Sequence, residues 1–300
     1  MSDNLLVLPR MRAQHANAYQ TSWLVGPPSP MTAWGMAHAL SLHLSRGNAE
    51  HGLDPVRFDA MGIVHHSFEI EAMQAKAPVF IASPGTNPND TDGDTNDLGV
   101  MPCLIPHLMR GAMGMDKDDY GKNGRSVSIQ PMVRAHAEMS LVLRIAADSG
   151  EVSLDDARDF VNSARLGGGQ IIESFDPVRI DDVKAVTQAV GGGFWVVDRS
   201  DLVRQRMQAD PDPVKAIVTE CLRVRGHQYE HNWLSPAAIG WAALETPRQR
   251  RGARNGLPHA YAEPMVGLVQ YQSVRADNHS PIFWSYRADS TRGIYFVSSH

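Results

Sequence analysis

The chain has 300 residues, 43% of them apolar, which is enough for a substantial core in one large domain or two ordinary ones and excludes disorder over the whole chain. No run approaches the ~18 uninterrupted apolar residues of a membrane span, and Met1-Ser2-Asp3-Asn4 lacks the cationic start of a secretory signal, so the expected setting is cytoplasmic. The formal charge of -5 speaks against a nucleic-acid partner until it is located: residues 87–120 hold seven acids against Arg110 and Lys117, leaving 26 acids and 26 bases elsewhere.

Leu5 to Arg12 reads as an apolar strand. Ser29 offers an N-cap with Pro30 at the first helical position, and Trp34, Ala37, Leu40 and Leu44 follow at helical spacing until Gly47 can close the helix. A second strand runs from Met61 to Glu71 with Val64, His66, Phe68 and Ile70 facing one way, and Val79-Phe80-Ile81 can extend the sheet. The cleanest alternation is later: Ala135, Ala137, Met139, Leu141, Leu143 and Ile145 line one face, while His136, Glu138, Ser140 and Arg144 line the other. Ser153 with Asp156 forms a capping start for a helix whose stripe is Leu154, Ala157, Phe160, Val161 and Ala164, ended by Gly167-Gly168-Gly169. Gln170 to Phe175 then completes strand, helix, strand, strand, helix, strand.

That order predicts an α+β fold with a ferredoxin-like, RRM-like βαββαβ core and helices on one face of the sheet. Residues 84–131, rich in Gly, Asp, Asn and Pro, are far too long for a hairpin loop and read as an inserted arm. Beyond Phe175, helical segments at 181–190, 200–209 and 213–224 surround a short strand at Phe194-Trp195-Val196-Val197. Two terminal strands, Ile282 to Tyr286 and Ile294 to Val297, are joined by a turn through Asp289 and Gly293. The expected organisation is therefore a core at 1–180 carrying the arm, and a helical addition with C-terminal strands at 181–300 packed on it.

Few residues suggest bond-making chemistry. His65 and His66 are adjacent on a strand, point to opposite faces and cannot share a metal ion. Asp90-Thr91-Asp92-Gly93 resembles part of a calcium loop, but the matching register puts Pro88 and Gly99 at ligand positions. Neither glycine triplet, 167–169 or 191–193, ends in the Lys-Ser or Lys-Thr of a nucleotide-binding loop. Cys103 and Cys221 form no Cys-x-x-Cys pair and read as structural thiols. No nucleophile with an ordered base partner stands out.

Other residues suit holding a polyanion. The basic side chains are arginine in 23 of 28 cases, and a guanidinium forks onto phosphate or stacks on a base. The loop Gln14 to Ser29 offers Gln14, His15, Asn17 and Tyr19 beside Arg10 and Arg12, a mixture that fits unstacked bases and phosphates and also fits an ordinary turn network. Gly167, Gly168 and Gly169, with Arg165 beside them, either cap a helix or let a phosphodiester approach backbone amides. Arg248, Arg250, Arg251 and Arg254 form the one concentrated basic patch, open to RNA phosphates or to an acidic partner protein.

Taken in order, Leu5-Leu6-Val7-Leu8-Pro9-Arg10, Gln14-His15-Ala16-Asn17-Ala18, the turn Gly26-Pro27-Pro28-Ser29-Pro30 and the helix through Trp34-Gly35-Met36-Ala37-His38-Ala39-Leu40 resemble one family. It is the Csy-two subunit, the Cas-five-type protein of type I-F CRISPR-Cas surveillance (Cascade, or Csy) complexes. The resemblance continues through Gly62-Ile63-Val64-His65-His66-Ser67-Phe68-Glu69, Ala164-Arg165-Leu166-Gly167-Gly168-Gly169 and Phe283-Trp284-Ser285-Tyr286 with Gly293-Ile294-Tyr295, and is loose in the acidic insertion and across 176–260.

The resemblance implies a non-catalytic RNA-binding subunit with no cofactor or metal, which grips the 5′ handle of the crRNA in antiviral defence. Its partners would be the large subunit and the adjacent Cas-seven-type backbone subunit, with target DNA near the PAM as a further contact. The arm at 84–131 would be a thumb, with Lys122, Arg125 and Arg134 as phosphate contacts. Relatives on this scaffold that cut repeat RNA leave open a metal-independent endoribonuclease, with His15, Tyr19 or His65 as acid and base. A small-molecule enzyme would need a compact apolar pocket with convergent polar groups.

Overall fold

The computed structural model describes residues 4–21, 24–71, 133–222, 232–253, 256–275 and 282–299. The chain divides into two compact units, Met1–Glu69 with Ala135–His300, and Ile70–Arg134. The expected arm at 84–131 and the strand at 79–81 lie outside the described residues.

Strand β1 spans Leu5–Asn17, five residues beyond the expected Arg12. Arg10 and His15 take left-handed conformations, φ 48° and 56°, and the pairing of β1 with β5 shifts register between Arg12 and Ala13. Buried positions therefore switch parity, from Leu6 and Leu8 to Met11 and Ala13 and then to Ala16. Helix α1, Pro30–Glu50, starts where Ser29 Oγ accepts from the Thr32 N–H at 3.3 Å. It passes the expected stop at Gly47 because buried Asn48 ties its last turn to the carbonyls of Asp54 and Glu151, at 2.8 and 3.0 Å.

Strands β2, Phe58–Ile70, and β3, Arg134–Ile145, come next. Helix α2, Leu154–Ser163, is capped by Ser153, whose Oγ accepts from the Asp156 N–H at 3.2 Å. It ends at extended Ala164, so the glycine triplet does not terminate it. Strands β4, Arg165–Leu166, and β5, Gly169–Glu173, instead form a hairpin whose two central residues, Gly167 and Gly168, have φ 57° and 81°, the left-handed pair of a type I′ turn.

The chain then gives β6 (Val178–Ile180), α3 (Val183–Val190), β7 (Phe194–Asp198), α4 (Ser200–Met207) and α5 (Pro213–Leu222). Four strands follow: β8 (Leu234–Ala243), β9 (Ala262–Ser273), β10 (Trp284–Asp289) and β11 (Ile294–Ser299). Strands β8 and β9 have no counterpart among the expected elements, because Pro236, Gly240, Pro264 and Gly267 look like breakers. The pair accommodates them with a register shift between Ala238 and Gly240. A Cβ on Gly240 would lie 2.4 Å from the Tyr295 carbonyl, so this glycine lets β11 approach.

The molecule is thus a mixed α/β protein with, among the described residues, five helices and one large sheet ordered β10-β11-β8-β9-β7-β2-β3-β1-β5-β4, with β6 also on β1. The C-terminal strands extend the sheet that β1, β2 and β3 begin. They also fold back on it: Met61 of β2 pairs with Trp284 of β10, while Val64 and His65 pair with β7. Trp284 is fully buried at that closure and donates its indole N–H to the Val196 carbonyl at 2.8 Å.

Helices α1 and α2 pack through Met36, Leu40, Leu44, Ala157 and Val161 onto one face of β1, β2 and β3. Truncating Leu40 to alanine there costs about 2–5 kcal/mol. The two helices of the expected core thus share one face, and the addition beyond residue 180 covers part of the other. Helix α3 lays Val186 and Val190 on the other face, against Leu5, Val7, Val64 and Val142. That cover stops partway along the strands, and polar side chains occupy the remainder of the face. No described helix is long and apolar enough to cross a membrane.

Candidate nucleic-acid interface

Alternation places Phe68 on the face of β2 that carries Val64 and His66, and His136 and Glu138 on the matching face of β3. Beyond left-handed Arg10, Arg12 and Gln14 of β1 stand opposite buried Met11 and Ala13, on that same face. The strands together enclose an open depression of about 380 Å³. Strand β1 lines it with Arg12 and Gln14, β2 with Ser67, Phe68 and Glu69, and β3 with His136 and Ala137.

Next to the depression, further along the same strands, lies an ordered polar network. Ser140 Oγ accepts from the Arg10 N–H at 2.8 Å and lies 2.6 Å from His66 Nε2, while His66 Nδ1 lies 2.7 Å from the Gly192 carbonyl. A carbonyl only accepts, so Nδ1 carries the proton and Ser140 donates to Nε2 of a neutral ring. Burial lowers the His66 pKa; the Gly192 carbonyl opposes that shift, the Arg10 guanidinium adds to it and Glu138 opposes it. Arg10 is itself committed, with Nη2 2.7 Å from Glu138 Oε1. Its guanidinium therefore meets an acid in this structure, beside the depression and not in its lining.

Arg12 is more open, in an exposed ion pair 3.4 Å from Glu173. His15 is exposed, with its ring 5.8 Å from that of His136. Asn17 serves its own turn, accepting from the Tyr19 N–H at 3.0 Å and donating to the Tyr19 carbonyl at 3.2 Å, which is the turn-network alternative. The glycine hairpin docks beside these residues: the Asn17 N–H donates to the Gly167 carbonyl at 2.8 Å. A Cβ on Gly169 would lie 2.5 Å from the Gln14 carbonyl oxygen, whereas one on Gly168 would meet nothing within 4 Å. Exposed Arg165 reaches back to the Gly168 carbonyl at 3.3 Å.

Arg12, Gln14, His15, Asn17, Arg165 and the three glycines are thus brought together at one end of β1. Arg248, Arg250 and Arg251 are not; they lie in the connection between β8 and β9, four strand steps from β1 along the sheet. Glu245 partly neutralises that patch, pairing with Arg250 and, at 3.3 Å, with Arg248, and Arg250 also covers the Tyr261 ring at 4.7 Å. Arg134 opens β3, and its carbonyl accepts from the Glu71 N–H at 2.9 Å. Lys122, Arg125 and Arg254 lie outside the described residues.

His65, considered as an acid or base, stands on the α1 side of the sheet with its ring 5.7 Å from Tyr271. It is buried, and burial, with neighbouring His66 adding to the effect and the Pro28 carbonyl opposing it, pushes its pKa down to about 4. His15, facing His136, is on the opposite side, so these two histidines do not converge. Among the described residues no three His, Cys, Asp or Glu side chains are grouped to hold a metal ion. Phe68, His136, Ser67 and Glu69 are site residues that sequence reasoning misses. The polar run His136-Glu138-Ser140 is the available signal, but only the β2-β3-β1 order puts it beside Arg12.

A strand face offering aromatic rings, an amide and a guanidinium beside a glycine hairpin has the chemistry of a nucleic-acid-holding surface. Comparison with known proteins gives a concordant result. The family model described as CRISPR-associated protein (Cas_Csy2) matches residues 6–297. A curated relative, CRISPR-associated protein Csy2 of Pseudomonas aeruginosa (strain UCBPP-PA14), is 25% identical over 326 aligned positions covering 97% of this chain and 94% of that protein. The chain belongs to the Csy2 family, the subunits of type I-F CRISPR-Cas complexes.

Proposed function

We propose that this chain is a non-catalytic, cytoplasmic RNA-binding subunit that grips the 5′ handle of the crRNA and caps the backbone of the type I-F complex. It stands next to the large subunit and the first Cas-seven-type backbone subunit, serves antiviral DNA interference, and comes within reach of target DNA near the PAM. The observation that carries this reading is the convergence of Arg12, Gln14, His15 and the Gly167–Gly169 hairpin at one end of β1. Stacking surfaces, edge-reading amides and approachable backbone are found there together.

The order β2-β3-β1-β5, with α1 and α2 on one face, supports a ferredoxin-like, RRM-like core within residues 1–180. Residues 181–300 are then an addition whose strands prolong that sheet, and 84–131 is a thumb that brings Lys122, Arg125 and Arg134 to the RNA. Deleting Asn87 to Gly124 leaves a folded protein that fails to join the guide complex; normal assembly of the deletion refutes the thumb.

The burial of His65, far from the face carrying His15, disfavours the endoribonuclease reading. Incubating the full chain with repeat RNA in chelator tests the choice. Uncut RNA is expected, and discrete products that disappear in His15→Ala would overturn the proposal.

A further inference from the structure

We infer that the depression lined by Arg12, Gln14, Phe68 and His136 holds a single unstacked nucleobase of the bound strand, with its phosphate on Arg12. This rests on the RNA-binding reading and identifies the element of the RNA that the sheet face takes. The cavity, about 380 Å³, is open to solvent on a strand face, suiting one base entering from a single strand better than a duplex.

The lining matches the three needs of an unstacked base. Phe68 on β2 and His136 on β3 contribute aromatic rings to the lining from neighbouring strands on the same side of the sheet. Gln14 supplies an amide with both donor and acceptor groups, able to meet a base edge. Arg12 stands at the rim, and its exposed pair with Glu173 is weak enough to be exchanged for a phosphate. The strands that line it are already tied together beside the cavity, where Ser140 of β3 bonds the Arg10 N–H of β1 and the His66 ring of β2.

The neighbouring hairpin supplies the strand's path. Gly169 is pressed against Gln14, so the turn lies directly beside the cavity, and the open side of Gly168 lets the sugar-phosphate chain pass where a side chain would obstruct it. A base in the depression and its backbone over Gly168 make one continuous track, with exposed Arg165 alongside. A protein partner would be expected to bury an apolar anchor here, yet among the described residues Phe68 is the only large apolar side chain lining the cavity.

The test uses full-chain protein and three eight-nucleotide homopolymer RNAs of A, C and U, followed by fluorescence anisotropy, a length within the ~4–16 nucleotides that one binding fold covers. Phe68→Ala weakens the tightest of them roughly 5- to 150-fold, the range for losing one base–aromatic stack, while Phe68→Tyr retains binding. Ultraviolet crosslinking of the wild-type chain, mapped by mass spectrometry, attaches nucleotide to peptides containing residues 67–69 or 136–137, and decides the matter if Phe68→Ala does not fold. RNA bound with unchanged affinity by a folded Phe68→Ala, or crosslinked only elsewhere, overturns the base pocket and leaves the RNA-binding reading standing. Failure of the wild type to bind these RNAs and single-stranded 5′-handle RNA alike overturns both.

Discussion

Replacing Gly169 with alanine tests the docking of the glycine hairpin. The added methyl would sit 2.5 Å from the Gln14 carbonyl oxygen and 2.6 and 2.7 Å from Ala16 N and Cα. All three are backbone atoms, so no rotamer change relieves the contact, and either the hairpin lifts or β1 shifts. Forced overpacking of this kind costs about 1–3 kcal/mol. With about 2.1 cal/mol/K of unfolding entropy per residue over 300 residues, the expected fall in melting temperature is about 2–5 °C. Gly168→Ala is the control: its methyl meets nothing within 4 Å, but φ 81° strains an L-residue by about 1–2 kcal/mol. Differential scanning fluorimetry reads stability and anisotropy reads RNA affinity. Gly169→Ala should lower both through its clash with β1, and Gly168→Ala should lower stability through its strained backbone and affinity through the methyl it places in the path of the RNA backbone. A Gly169→Ala variant with wild-type melting and wild-type binding refutes the reasoning.

Other expectations follow from the same geometry. His65 has an ordinary pKa of 6.5 and a folded value of about 4, so between those pH values the unfolded chain binds the extra proton. Its contribution to stability is complete above pH 6.5 and falls by about 3 kcal/mol as pH drops to 4. Urea titrations at several pH values should show a shallower acid loss in His65→Phe; parallel curves contradict the assignment. Trp284→Ala opens the closure between β2 and β10 and should cost about 3–5 kcal/mol, whereas Trp284→Phe, losing mainly the hydrogen bond to Val196, should cost about 1–2 kcal/mol by urea midpoint. Changing Arg248, Arg250, Arg251 and Arg254 to glutamine should weaken RNA binding and flatten its salt dependence by about 0.7 for each phosphate that is no longer neutralised. An unchanged slope assigns that patch to a protein partner.

The legible parts of the sequence are those where local pattern and tertiary role agree. Ser29 and Ser153 cap the helices they suggest, and β3 follows its alternation from Ala135 to Ile145. Legibility ends wherever tertiary packing overrides a local sign. The parity switch at Arg10 hides the second half of β1. Asn48 holds α1 together past a glycine that should end it, and the Gly167–Gly168 turn looks like a helix stop in sequence. Pro236 and Pro264 conceal β8 and β9 because their tolerance depends on a bulge and a neighbouring strand. The site is legible in part for the same reason. Arg12, Gln14 and the glycines are visible as types suited to RNA, but Phe68 and His136 join them only through strand order, and Arg10 and Asn17 prove to be occupied by Glu138 and by their own turn.

The most direct test of the central claim is a titration of labelled single-stranded 5′-handle RNA with the full chain at about 50 and 200 mM salt. Saturable binding that weakens at the higher salt, reduced by Arg12→Gln and Gly169→Ala, is the predicted result. Absence of binding at low salt, or binding indifferent both to salt and to these two changes, contradicts the account.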